Sequence, residues 1–153
     1  VNEKVSVMFD LAWTEWSSFD ELRVQYDSAQ PDSVTDESWK DTWRVSVGGE
    51  YAASEAWTVR MGAAFDESPI PDTEHRTPRI PDSDRYWLTA GLGYISSENF
   101  SFDVGYAHVF FEKSEVSLTS GTGDGTGDGT GDVLAGEYEG SVDVFSMQLR
   151  WRI

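Results

Sequence analysis

KVSVMFDLAW, residues 4–13, alternates at every step: Val5, Val7, Phe9, Leu11 and Trp13 fall on one side of an extended chain, Ser6, Met8, Asp10 and Ala12 on the other. Side chains of a strand point to opposite faces in turn, so this is a strand with one apolar face. The pattern returns along the chain. Leu22, Val24 and Tyr26 alternate with Arg23, Gln25 and Asp27, and Trp43, Val45, Val47, Gly49 and Tyr51 with Arg44, Ser46, Gly48 and Glu50. Further apolar faces are Trp57, Val59, Met61, Ala63 and Phe65, then Tyr86, Leu88, Ala90, Leu92 and Tyr94, then Phe102, Val104, Tyr106 and onward to Phe110. The last, Phe145, Met147, Leu149, Trp151 and Ile153, alternates with Ser146, Gln148, Arg150 and Arg152. About seven strands follow from period two, with no segment of helical period, so the class is all-β.

A soluble sandwich alternates too. Three features favour a transmembrane antiparallel up-and-down β-barrel instead. Rings such as Trp13, Trp43, Tyr51, Trp57, Tyr86, Tyr94 and Trp151 stand near the ends of the apolar stripes, where a barrel wall meets the two headgroup layers. The opposite faces carry charge, with Arg23, Arg44, Arg60 and Arg150 expected to face the lumen; unpaired in a sandwich core, such groups would be costly. Connections alternate in length, short near 17–20, 54–56 and 97–100, long and polar over 29–41, 67–84 and 117–139. Short turns are expected at the periplasmic rim and long loops outside.

Seven is odd, whereas a bacterial barrel has an even number of strands. With a periplasmic C-terminus, Val1 would lie outside. Residues 1–153 therefore read as the C-terminal half of a larger barrel, whose missing N-terminal half must satisfy the edge strands in lipid. The outer membrane and its lipid are the expected surroundings. Composition agrees by exclusion. A net charge of -17 excludes nucleic acid as a partner, because a phosphate-binding surface needs Lys and Arg. There is no cysteine for a disulfide or a thiolate metal site.

Three stretches, DTWRVSVGGEY (41–51), WTVRMGAAFDESPIP (57–71) and RIPDSDRYWLTAGLGY (79–94), resemble the C-terminal part of the FadL family, outer-membrane transporters of long-chain fatty acids and other hydrophobic compounds. The resemblance is close over about residues 40–95 and one of pattern in the final strands. It implies a barrel of about fourteen strands, with an N-terminal plug and a lateral opening that this sequence does not contain. The function implied is passive uptake of long-chain fatty acids or other hydrophobic molecules through an outer-membrane channel. A structural or adhesive barrel with acidic, cation-binding loops is the alternative.

In SPIPDTEHRTPRIPDSDR, Pro69, Pro71, Pro78 and Pro81 each fix φ and remove an amide donor, which makes a stiff loop. Asp82 and Asp84 can accept from nearby amides or from Arg85, fixing re-entry at Tyr86. A sharper reading lets His75, Arg76 or Arg79 attract a carboxylate headgroup. Lys40 and Trp39, in ESWKDTW, are the other ligand candidates, as cation and as stacking surface; an interfacial lysine and a belt tryptophan are the plainer readings. The resemblance associates a basic residue of that loop with the ligand headgroup, but the aligned position here is Thr35. GTGDGTGDGTGD, residues 121–132, reads as the tip of a flexible outer loop spanning 117–139, with Asp124, Asp128 and Asp132 as weak calcium candidates and no metal site assigned. With His75 and His108 the only histidines, no Ser–His–acid set can be singled out; no enzyme activity and no cofactor are expected. His108 shares the outward parity of Val104 and Tyr106, near the interface.

Overall fold

A computed structural model describes residues 4–119 and 133–152. The described strands are β1 (Val5–Thr14), β2 (Glu21–Val24), β3 (Ser33–Asp36), β4 (Thr42–Ala52), β5 (Trp57–Asp66), β6 (Arg85–Ser97), β7 (Phe100–Phe111), β8 (Ser114–Thr119), β9 (Val133–Tyr138) and β10 (Ser141–Trp151), with a 3-10 turn at Trp16–Ser18. One antiparallel sheet has the order β1-β4-β5-β6-β7-β10, while β2 pairs with β3 and β8 with β9 as separate hairpins.

The wall thus has six strands, not seven. The stretch from Leu22 to Asp27 is the one that leaves it: Glu21–Val24 forms a four-residue ladder with Ser33–Asp36. Its alternation is real but too short, since four residues fall well short of the 9–11 that a membrane-crossing strand needs. The six wall strands run 10 to 13 residues each. With that strand removed the parity argument falls as well. Thr14 pairs with Thr42, Arg85 with Phe111 and Phe110 with Ser141 at the rim of the long connections. Val5 and Trp151 lie at the opposite rim, with the turns near Ser54 and Glu98. Ser18, expected in a short periplasmic turn, lies inside the single long connection 15–41.

Register settles which side chains share a face. Phe9, Val47, Ala63, Leu88 and His108 form one row, and Val7, Gly49, Met61, Ala90, Tyr106 and Phe145 another. Among the described residues nothing covers this apolar face: Phe9 is 68%, Met61 69% and Phe145 79% exposed. A soluble domain would have covered so large a patch. Rings end the face eight positions apart on each inner strand, Trp43 and Tyr51, Trp57 and Phe65, Tyr86 and Tyr94, Phe102 and Phe110. The other face carries Arg44, Glu50, Arg60, Asp103 and Arg150. Arg23 is not among them: it sits on β2, bonded to Glu21 at 2.8 Å and to Asp32 at 3.4 Å.

Buried apolar side chains gather near the long connections: Ile70, Val116 and Leu118, with Val109 at the adjoining end of β7. Main-chain bonds sew this region together, Lys40 N to Pro69 O at 2.8 Å, Glu112 N to Asp84 O at 2.8 Å and Ser117 N to Thr73 O at 3.1 Å. The flanks of the 117–139 segment are the strands β8 and β9 rather than loop. Asp124, Asp128 and Asp132 lie outside the described residues, as does Ile153.

Candidate functional site

Two connections, 15–41 and 67–84, meet over the open end of the sheet. The second is held as its prolines and aspartates suggest. Ser68 N donates to Asp84 Oδ1 at 2.8 Å, and Arg85 bridges Asp66 at 3.3 Å and Asp82 at 3.4 Å. Asp72 accepts from the His75 and Glu74 amides and contacts His75 Nδ1 at 2.8 Å, a turn closed by a side chain on its own backbone.

Glu37 lies where the two connections meet. It is 2% exposed, and Trp39 Nε1 donates to its Oε2 at 3.1 Å. Burial pushes its carboxyl above the usual range, against the pull of the Trp39 hydrogen bond and of the nearby charges of Arg79 and His75. Ser38 turns the chain here with φ 42°, a left-handed conformation costly for a residue with a Cβ. Its amide and that of Glu37 donate to Asp20 O, which holds the turn. Trp39 packs on Trp16 with ring centroids 5.4 Å apart and on Phe19 at 4.8 Å, and Trp16 stays 41% exposed.

The ligand candidates are partly committed. Lys40 Nζ is bound to Glu67 at 3.1 Å, so its charge is compensated. Burial pushes the Glu67 carboxyl up, but the Lys40 and Trp43 amide bonds outweigh it and hold it below its usual value. Arg76 is spent on main-chain carbonyls, Asp82 O at 3.0 Å and Glu115 O at 2.6 Å. Arg79 stays exposed beside Glu37. Thr35 is 2% exposed on β3, opposite Leu22. Nothing in the sequence marks Glu37: DES in a polar loop reads as solvated acid, and only tertiary contact buries it.

On the polar face of the wall, Arg60 reaches sideways across β6. Its Nε bonds Glu50 at 2.7 Å and its guanidinium NH1 bonds Asp103 at 2.9 Å. The crossing passes over Gly91 and Gly93, where a Cβ on Gly93 would fall 2.7 Å from Asp103 Oδ1 and 3.0 Å from Arg60 NH1. Arg44 lies 5.9 Å from the Trp87 ring centroid. Between them a depression of about 420 Å³ is floored by small residues including Gly48, Gly62, Ala64 and Gly91. Neither histidine hydrogen-bonds a serine or threonine hydroxyl among the described residues; His75 pairs with Asp72 and His108 with Asp143.

Comparison with known proteins agrees with this architecture. Residues 1–153 match the outer membrane protein transport protein family (OMPP1/FadL/TodX). A long-chain fatty acid transport protein of Escherichia coli O6:H1 is 40% identical over 118 residues, 77% of this chain and 26% of that protein. Outer membrane protein P1 of Haemophilus influenzae is 28% identical over 124 residues, 81% of this chain and 27% of that protein. The crystal structure of a Pseudomonas aeruginosa FadL homologue superposes with TM-score 0.83 at 32% identity, over 98% of this chain and 33% of that one. The chain thus spans about a quarter to a third of the length of these relatives.

Proposed function

The chain belongs to the outer membrane protein transport family (OMPP1/FadL/TodX), an outer-membrane barrel family, and on that premise we propose that it supplies the C-terminal wall and outer loops of a channel for passive uptake of long-chain fatty acids or other hydrophobic molecules. The observation that carries the reading is the two-faced sheet. One face offers exposed rings and aliphatic side chains to lipid, and the other offers a lumen lined by Arg44, Arg60, Arg150 and carboxylates. No covalent step is required. A long acyl chain gains about 0.8 kcal/mol for each CH₂ removed from water, so a greasy surface captures it and the bilayer receives it.

In this scheme the Trp16, Phe19 and Trp39 cluster is the first apolar surface met from outside. Arg79 is the cation left to meet a carboxylate headgroup, because Lys40 is paired with Glu67 and Arg76 is occupied. The remainder of the barrel is the obligatory partner. Restoring growth on oleate in a strain lacking its own fatty acid transporter, by expressing the complete parent barrel, tests the proposal. Folded, surface-exposed barrel without growth or uptake of labelled oleate would overturn it in favour of a structural or adhesive role.

A further inference from the structure

The outward wall changes character on its last two strands. Both aromatic belts step toward the short-turn rim as the sheet proceeds. Tyr51 faces Val59, so Trp57 lies two positions lower, and Phe102 faces Leu149, so Trp151 lies two lower again. Strand tilt in a barrel produces such a staircase. Counting the same eight positions up β10 from Trp151 gives Asp143, a carboxylate where the other strands carry a ring.

Asp143 is not alone there. His108 Nδ1 lies 2.7 Å from Asp143 Oδ1, and the Tyr106 hydroxyl donates to the same oxygen at 2.6 Å. The His108 ring packs edge-on to Phe110 at 4.1 Å, which fixes its plane. In the tautomer that donates Nδ1–H to the carboxylate, Nε2 keeps its lone pair. Asp143 Oδ2 has no hydrogen bond among the described residues, and the side chain is 51% exposed. Both free atoms are acceptors beside a negative charge, so their complement is a donor. An ionisable pair on a lipid-facing wall is a functional feature by default, since burial against lipid is costly without a partner.

We propose that Asp143 and His108, steadied by Tyr106, form a headgroup site on the outer wall for outer-leaflet lipid, taking a hydrogen-bond-donating group, an ammonium or a sugar hydroxyl. The site goes beyond the transport reading and requires only that the barrel lie in its membrane with the rim of the long connections outside. It is tested on the complete parent barrel, stripped of lipid and offered phosphatidylethanolamine, lipid A or phosphatidylcholine, whose headgroup has no N–H or O–H donor. Retention is read by native mass spectrometry. The wild type should retain at least one donor lipid about fivefold over phosphatidylcholine, the ratio that the net worth of one ordinary hydrogen bond gives. Preference for the ammonium or for the saccharide identifies the source. Asp143→Asn should abolish the preference while heat-modifiable mobility stays normal. Should that variant not insert, His108→Phe is read by the same criterion. Equal retention of all three lipids by the wild type, or an unchanged preference in the inserted variant, overturns the site whatever becomes of the transport assay.

Discussion

At the scale of the residue, the polar face of the wall depends on what glycine leaves out. Arg60 can lie across β6 to Asp103 only because positions 91 and 93 have no side chain to lift it away. Gly93→Ala places a methyl group against the charged ends of both partners, which can swing aside, so we expect the Arg60–Asp103 bond to lengthen or break and the barrel to lose at most about 1 kcal/mol, the worth of a part-exposed ion pair. The midpoint of heat-modified mobility on gels would fall; an unchanged midpoint would mean the bridge contributes nothing. Glu37 offers the opposite sign. Its carboxyl is raised by burial, so the charged form is what the fold disfavours, and stability rests on protonation, declining as pH rises through the raised value. Glu37→Gln retains an acceptor for Trp39 and removes the charge. It should make the 15–41 connection more resistant to protease than wild type at neutral pH, with the difference vanishing in acid.

Among the elements, the seam between 67–84 and its neighbours is the most acid-sensitive. Burial acts on Asp72 to raise its carboxyl, but the His75 ring and the His75 and Glu74 amides prevail and lower it; Glu67 is likewise lowered on balance. Groups lowered in the fold contribute stability that is present above their ordinary values and is lost as pH falls through the lowered folded ones. Loop cleavage by an acid-active protease should therefore accelerate as pH falls through the carboxylate range while the wall strands stay intact. The final strand makes a sharper case. Trp151 is on the lipid face and Gln148 on the polar one, so Trp151→Asp should impair insertion and Gln148→Asp should not. Charge toward lipid costs about 2–4 kcal/mol at the midplane and less near a rim, so part of the defect would come from failed reading of one face of the edge strand. Equal heat-modifiable insertion of both variants would refute the facing. Six wall strands and their faces were legible because each repeats period two over ten or more residues. β2 misled because three alternating residues look alike in a wall and in a hairpin. Glu37 and Asp143 were illegible because burial in one case and cross-strand register in the other confer their meaning.

For the whole molecule, the consequence of moving residues 22–27 out of the wall is a change of sidedness for everything before β4. If that stretch crossed the membrane, Ser18 and the turns near Ser54 and Glu98 would share one rim. With β1 paired directly to β4, Ser18 joins the 67–84 connection and Ser141 at the other. Length alone explains the outcome, since a four-residue ladder cannot satisfy its backbone across a hydrocarbon core and stays in water where free amides cost little. The chain has no cysteine, so single thiols can report position without background from it. Placed in the complete parent barrel, Ser18→Cys and Ser28→Cys should both react with a membrane-impermeant maleimide on intact cells, whereas Glu98→Cys should react only after the outer membrane is opened. Reaction at Ser28 with protection at Ser18 would restore the seventh crossing strand. Protection of both, with Glu98 open to the medium, would invert the barrel and place the Trp16, Phe19 and Trp39 surface on the periplasmic side, where it could not be the first surface a cargo meets.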